Sequence, residues 1–425
     1  MIPLLIGSLV LLLLLGCPLV FSLGFSSALV LLFDFPTISV APVNQKMLTA
    51  IDSFMLIAIP LFLLAGNLMN STGVTRRLFR FAKACVGHIP GGLGHANVVI
   101  SMFFAGMSGS AVADAAGLGT VEIPEMVNHG YDLDFSAAIT AASATIGPVI
   151  PPSIPMIIYA SIAGVSVTRL FIAGVIPGII IGIALMIYVY FVSIKQKYPK
   201  EKSFDFREFW LSLKESFFAL LAPAIILGGI LFGVFTATEA AVIAVIYILI
   251  ITLFIYRDYK WNGVIKILLD TAITTATITM IIGTASLFAW ILTIYRVPVL
   301  VAEVLTSITT NRLIMLVLLN IVFLIAGCIL NTTSALILLV PILLPTVRMV
   351  GIDLIHFGVI CVLNLCIGML TPPVGVVLFV TARVGNIGVG RLVKALRPLW
   401  IVSLLVLILV TYYPDICLWL PSIVL

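Results

Sequence analysis

Apolar positions run almost unbroken along this chain, and the interruptions carry the information. Runs bounded by charge or by Gly and Pro predict helical spans at about 2–20, 21–33, 51–70, 135–163, 167–194, 216–234, 237–256, 267–294, 354–382 and 398–424. Two of these carry a helix-breaking string at their centre. Gly147-Pro148-Val149-Ile150-Pro151-Pro152 interrupts 135–163, and Gly368-Met369-Leu370-Thr371-Pro372-Pro373 interrupts 354–382. Proline cannot donate the backbone hydrogen bond that a helix interior needs. Two further apolar stretches, 92–124 and 313–345, have small or polar centres at Gly106 to Ser110 and Asn331 to Ser334. Each arm has about 15 residues, short for a full crossing. Both stretches are therefore read as re-entrant hairpins that return to the side they entered.

The breaks repeat at a constant offset. A shift of 221 residues carries Gly147 onto Gly368, Gly106 onto Gly327, Ser110 onto Asn331, Pro124 onto Pro345, Gly130 onto Gly351, Asp132 onto Asp353 and Pro177 onto Pro398. Paired Gly/Pro-interrupted apolar segments in two halves point to the binding site of a secondary transporter. Broken backbone at membrane depth survives only where protein buries it or where it lines a cavity.

Composition fits a polytopic membrane protein: 425 residues, 62% hydrophobic and 9% charged, with a mean hydropathy of +1.30. That balance excludes a soluble domain. The net charge of +5 sits in short loops and does not point to nucleic acid. The six cysteines form no Cys-x-x-Cys and read as small apolar side chains. Ile2 to Val20 has no basic leader and no small-residue cleavage site, so it reads as a retained span and not a signal peptide.

Charge decides orientation. Seventeen of the 22 basic residues fall in four loops that the topology puts on one side. They are Arg76, Arg77, Arg80 and Lys83; Lys195, Lys197, Lys200, Lys202, Arg207 and Lys214; Arg257, Lys260 and Lys266; and Arg383, Arg391, Lys394 and Arg397. The positive-inside rule makes that side cytoplasmic and both termini periplasmic. An odd number of crossings separates the hairpins, so they enter from opposite faces and the repeat is inverted. The expected organisation is N-terminal scaffold spans at 1–50, repeat 1 at 51–194, a cytoplasmic amphipathic linker at 195–214, central scaffold helices at 215–271, repeat 2 at 272–415 and a periplasmic end at 416–425. Phe206, Phe209 and Trp210 are candidates to anchor the linker in the headgroups.

A half-helix that stops at Gly147 presents free carbonyls, and one that starts at Ser153, a good N-cap, presents free N–H groups. Carbonyl ends suit a small cation and N–H ends a carboxylate. Thr371 adds a hydroxyl at the second break. Ser108 and Ser110 at one hairpin tip, and Asn331, Thr332, Thr333 and Ser334 at the other, add neutral oxygen ligands. Hard, uncharged oxygens favour Na+ over a transition metal. The bland alternative is that small polar residues merely let helices pack closely.

At these residues the chain resembles the large membrane subunit of the TRAP (tripartite ATP-independent periplasmic) transporters. The strings are Ile59 to Met69, Gly106 to Asp114, Gly147 to Pro155, Thr236 to Ala241 and Leu370 to Gly375, and the resemblance covers essentially the whole chain. It implies a Na+-driven importer of the elevator type working with a small membrane subunit and a periplasmic substrate-binding protein, in the bacterial inner membrane. The hairpins and interrupted helices (about 92–163 and 313–382) would move against a scaffold of the remaining spans. It also implies two Na+ sites. One uses Ser108, Ser110 and carbonyls at Gly147, Ile150 and Pro152. The other uses Gly327, the tip Asn331–Thr332–Thr333, Gly368 and Thr371. Asn331 stands where repeat 1 has a serine, so the cages need not be alike. Where the family reads Pro-Thr-Glu, this chain has Ala237-Thr238-Glu239. The substrate implied is an organic acid: a dicarboxylate, sugar acid, keto acid or sialic acid. No cofactor beyond the coupling ion is expected.

Further candidates follow from position. Asp114 lies four residues after Ser110 and is expected to support the hairpin or the cation field. Glu239, in an apolar span, is expected to tie the static part together or meet the small subunit. Intramembrane acids need a partner or water. Glu122, Glu125, Asp132 and Asp134 read as solvated charge near the cytoplasmic face. Thr145, Ser153 and Asn364 flank the breaks and are candidates to face substrate. Gly106-Met-Ser-Gly109 also fits an intramembrane serine protease string, but that chemistry needs a histidine at the serine, and His95, His129 and His356 fall at other depths. A channel would explain the repeat but not two cation cages. No Gly-Lys dipeptide is present, so there is no Walker A motif and no sign of an ATP-driven pump.

Overall fold

The computed structural model describes residues 1–34, 41–200, 203–257 and 261–424. Two members of the basic-loop set, Lys202 and Lys260, lie outside the described residues. Among the described residues the protein is helical throughout, with no strand. Seven helices are long and apolar enough to cross a membrane, or eight if the bent pair Val43–Ile51 and Phe54–Asn70 is one span.

The interruptions appear where the breakers predict them. Leu133–Ala144 ends just before Gly147, and the second half, Ile154–Ala163, is capped by Ser153, whose Oγ accepts from Met156 N at 3.2 Å. In repeat 2, Leu354–Gly368 is followed by Val376–Val384. Pro151-Pro152 and Pro372-Pro373 are both cis, at the same offset as the breaks. The breaks differ in environment: Pro151 to Ser153 are buried, whereas Pro372 to Val374 are exposed. Each hairpin is two helical arms meeting at a short tip. Gly92–Ser108 turns through Gly109-Ser110 into Ala111–Gly117 and Gly119–Asn128, and Arg312–Ile329 turns through Leu330-Asn331 into Thr332–Met349. The arms of the second hairpin, 18 residues each, also have the length and composition of membrane spans.

Four differences from the sequence reading have local causes. The predicted linker shrinks, because Phe206–Leu231 is one helix that takes in Phe209, Trp210 and Lys214. Asp205 starts it by accepting from the backbone of Arg207 and Glu208 at 2.9 and 3.2 Å. The break between the first two spans falls earlier than predicted, so that Ile2–Leu14 is shorter and Leu19–Asp34 longer, with Pro18 at the break. The last span divides into Val389–Tyr412 and Asp415–Val424, with Pro414 at the break. Finally, Val74–Val86, read as loop, is an amphipathic helix whose buried face includes Val74, Leu78, Phe79 and Phe81. Its basic residues lower the mean hydropathy, so it forms no apolar run. Val297–Ile308 is its counterpart, close to the repeat offset.

The two repeats are interleaved. Ile154–Ala163 of repeat 1 packs on Thr332–Met349 of repeat 2, and Val376–Val384 of repeat 2 packs on Ala111–Gly117 of repeat 1. Tyr159 Oη donates to Leu354 O at 2.6 Å across that boundary. The long helix Val167–Gln196 lies against the first break. A Cβ at its Gly174 would collide with Val149 O, and one at Gly178 with the Ile150 side chain. Small residues four apart let helix backbones approach this closely without a hydrophobic driving force in lipid.

Candidate functional site

Both hairpin tips and both breaks meet at one cavity of about 390 Å³. Ser110 lines it from the first tip, and Asn331, Thr332 and Thr333 from the second. Pro148 and Met369 come from the two breaks. Most of the remaining wall is the helix Trp261–Ile294, through Ile273, Thr274, Thr277, Ile278 and Ile281, with Leu63 of Ala58–Asn70 beside it.

In repeat 1, Ser108 is buried and its hydroxyl donates to Asp114 Oδ1. The backbone N–H of Ser110 points back to Ser108 Oγ at 3.3 Å, and Ser110 Oγ caps the next helix by accepting from Ala113 N at 3.4 Å. Gly109 between them is left-handed at φ +59, and a Cβ there would lie 2.7 Å from Pro152 O. A side chain at Gly109 would therefore separate tip from break. Gly147 meets the same cluster from below, since a Cβ on it would collide with Asp114 Oδ2. That oxygen is buried and has no hydrogen-bond partner. Ser108, Ser110, Gly147 and Pro152 are thus brought together around Asp114. The side chain of Ile150 packs toward Gly178, so only backbone of Ile150 is available to the cluster.

In repeat 2 the closeness is backbone on backbone. A Cβ on Gly368 would lie 2.6 Å from Gly327 Cα, and one on Gly327 would lie 3.0 Å from Gly368 Cα. Asn331 caps Thr332–Met349 by accepting from Ser334 N at 2.8 Å. Thr332 Oγ1 lies 3.4 Å from Met369 Sδ, and Thr371 Oγ1 donates to Ile367 O at 3.1 Å. Val374 and Gly375 N–H groups bind Cys328 O at 3.1 and 3.0 Å, tying break to hairpin. No acid stands here: the offset carries Asp114 onto Ala335. The arrangement is one cavity without charged lining, with a tip packed against a break on each side of it.

The other candidates lie elsewhere. Thr145 is buried and donates to Ala142 O at 2.6 Å, and Asn364 is buried and donates to Asn320 Oδ1 at 2.7 Å; neither lines the cavity. Ser153 donates to Pro148 O and sits behind Ile154 and Pro155, which do line it. Glu239 is exposed at the start of Ala237–Ile250, where it forms a reciprocal capping box with Thr236. It is a helix-start residue and not a mid-span acid, because Thr-x-x-Glu satisfies two orphan N–H groups. Glu122 is fully buried, not solvated: its Oε2 accepts from Asn97 Nδ2 at 2.7 Å. Among the described residues no histidine bonds Ser108. His95 faces Pro90 O and His356 faces Val410 O.

The sequence reading passed over Thr274 and Thr277. The signal was a hydroxyl-rich helix, with Thr271, Thr274, Thr275, Thr277 and Thr279 in one apolar span.

The model of the "Tripartite ATP-independent periplasmic transporter, DctM component" family matches residues 6–416. The chain belongs to that family. As a DctM-type large permease it is a polytopic membrane transporter subunit of the inner membrane. It is 44% identical over 408 residues to the sialic acid TRAP transporter large permease protein SiaM of Vibrio cholerae, covering 96% of this chain and 95% of that one. It is 42% identical over 401 residues to the C4-dicarboxylate TRAP transporter large permease protein DctM of Pseudomonas aeruginosa, covering 94% of each. Among solved structures, the Alcanivorax borkumensis YdaH transporter, described as having an unusual topology, aligns over 90% of each chain with a TM-score of 0.63. At 14% identity that likeness concerns the fold alone.

Proposed function

We propose that this permease imports an organic acid, driven by Na+, with the hairpins and interrupted helices moving as a unit against a scaffold. The observation that carries the reading is the convergence of both tips and both breaks on one cavity whose remaining wall is mostly the helix Trp261–Ile294. A carboxylate placed there would meet N–H groups at the starts of Ile154–Ala163 and Thr332–Met349, which attract negative charge. No charged side chain lines the cavity among the described residues. The relatives named for sialic acid and C4-dicarboxylates support the substrate class, and selection within that class falls to a separate binding protein.

Na+ is the co-substrate in this reading. The first cage is Ser108, Ser110 and the backbone at Gly147, Ile150 and Pro152. The unpartnered, buried Asp114 Oδ2 beside Gly147 fits a small cation there. The second is Gly327, Asn331, Thr332, Thr333, Gly368 and Thr371. Each positive charge moved inward gains about 2.3 kcal/mol per 100 mV. A tenfold inward gradient adds about 1.4 kcal/mol per ion. Ion and substrate sites that share tips strengthen each other reciprocally. The partners are a small membrane subunit and a periplasmic binding protein, and both termini of this chain face the periplasm.

The test is reconstitution in liposomes with the small subunit and binding protein, followed by uptake of a panel of labelled organic acids. Uptake should require an inward Na+ gradient and the binding protein. Uptake unchanged when choline replaces Na+, or robust uptake by the permease alone, would refute the reading.

A further inference from the structure

Glu122 lies outside the cavity and outside both cages, and it is fully buried. One carboxylate oxygen accepts from Asn97 Nδ2 at 2.7 Å, and the other, Oε1, is buried with no partner. The same Asn97 amide lies 2.7 Å from Thr140 Oγ1, and Ser143 Oγ donates to Asn97 Oδ1 at 2.7 Å. Ser143 lies near the end of Leu133–Ala144, one turn before Gly147. A chain of neutral hydrogen-bonding groups therefore joins Glu122 to Ser143, on the half-helix that leads into the first break.

Repeat 2 supplies an internal control. The 221-residue offset carries Asn97 onto Leu318, Glu122 onto Leu343 and Thr140 onto Cys361. Leu343 and Cys361 are buried on the corresponding helices, Thr332–Met349 and Leu354–Gly368. The corresponding buried positions of repeat 2 thus carry no charge, so burial at this place in the repeat does not require an acid. A buried carboxylate without a cation is costly unless it is neutralised.

Charged and titratable groups around it are accounted for element by element. On its own helix, Glu125 pairs with His129 at 3.6 Å. On the adjoining helices, Asp134 pairs with Arg391, His95 faces Pro90 O and Asp114 takes the Ser108 hydroxyl. Arg383 is exposed on Val376–Val384. Across the opposite face, Arg76, Arg80 and Lys83 line a cleft of about 580 Å³ with Thr120, Val121 and Glu125, Arg80 is held by Glu208 and Glu215, and Arg77 lies over the Tyr256 ring at 4.1 Å. None of these cations bonds Glu122 Oε1.

We infer that Glu122 holds an exchangeable proton, and that the Asn97–Ser143 chain links its occupancy to the ion cage at the first break. The step is simple: hydronium in the solvent gives up a proton and becomes water, the carboxylate becomes a neutral acid, and the proton returns to solvent water as pH rises. This goes beyond the Na+ reading, because a proton site adds pH to the conditions that bias the moving unit.

Infrared difference spectroscopy on the purified permease tests it, with choline chloride exchanged for NaCl and pH stepped across the neutral range. The wild type should show the carbonyl stretch of a buried protonated carboxylic acid that is lost as pH rises and shifts with Na+. Glu122→Gln should lose that band while remaining monodisperse, and Asp114→Asn should keep it. Glu122→Leu, the repeat 2 residue at this place, serves as the second folded variant. Absence of a titrating band in the wild type, its survival in both Glu122 variants, or its indifference to Na+ would each overturn the inference. So would loss of one bound Na+ in Glu122→Gln without loss of a band. Failure of Na+-dependent uptake would count against the transport reading instead, since the infrared band is read without transport.

Discussion

The Ser108 hydroxyl donates to Asp114, and the other oxygen of that carboxylate is buried beside Gly147 with no partner. One side chain thereby touches a hairpin-tip residue and a break residue of the same repeat. Ser108→Ala removes a hydrogen bond to a buried carboxyl group, and leaving that group unsatisfied costs about 1–3 kcal/mol. It should raise the Na+ concentration for half-maximal uptake about tenfold, equivalent to about 1.4 kcal/mol, with expression unchanged. Ser110→Ala should act in the same direction. Uptake measured against Na+ in proteoliposomes checks both, and an unaltered Na+ response would remove the first cage.

The Gly327–Gly368 contact leaves no room for a methyl group, since the obstruction is backbone that cannot rotate away. Gly368→Ala should cost about 1–3 kcal/mol or more through overpacking and abolish uptake. Gly178→Ala, which meets the flexible side chain of Ile150, should be milder. Thermal unfolding of the two purified variants gives the order.

Thr277 faces the cavity with its hydroxyl bonded back to Ile273 O at 2.9 Å. Thr277→Val should therefore be nearly silent. Thr277→Trp should fill the space and stop uptake while leaving Na+-induced thermal stabilisation intact. Loss of both together would mean that the helix wall supports the cages and does not merely border substrate.

Glu239→Gln keeps the capping pattern with Thr236 and should leave Na+ dependence unchanged, because the acid is exposed at a helix start. Glu239→Ala should lower the melting temperature slightly with the same Na+ response. An altered Na+ response in Glu239→Gln would give this acid a role in coupling.

The pair Arg391–Asp134, at 2.5 Å, joins the helix Val389–Tyr412 to Leu133–Ala144, but the arginine side chain is 65% exposed. Exposed pairs contribute about 0–1 kcal/mol. Arg391→Ala should thus change stability little, and the small difference should vanish in high salt. A loss of several kcal/mol in denaturation would show that the pair locks the fold.

What was legible in the sequence was punctuation. Gly147 to Pro152 and Gly368 to Pro373 break helices wherever they occur, because missing N–H groups are a local property. The offset that matches them was countable, and so were the polar tips at Ser108–Ser110 and Asn331–Thr333. Val74–Val86 was hidden because a one-sided basic helix has no apolar run. Phe206–Leu231 was misread because its first turns are charged.

Burial belongs to the tertiary structure alone. Glu122 and Glu125 are three residues apart and chemically alike, yet one is enclosed against Asn97 and the other sits beside His129 in the open. Asn364, near the second break, and Thr332, at the second tip, are both polar and buried, yet only Thr332 reaches the cavity. Whether a side chain meets water, lipid or a facing backbone depends on the helices packed around it. The sequence determined where this chain stops being helical. The interleaving of the two repeats decided what those stops face.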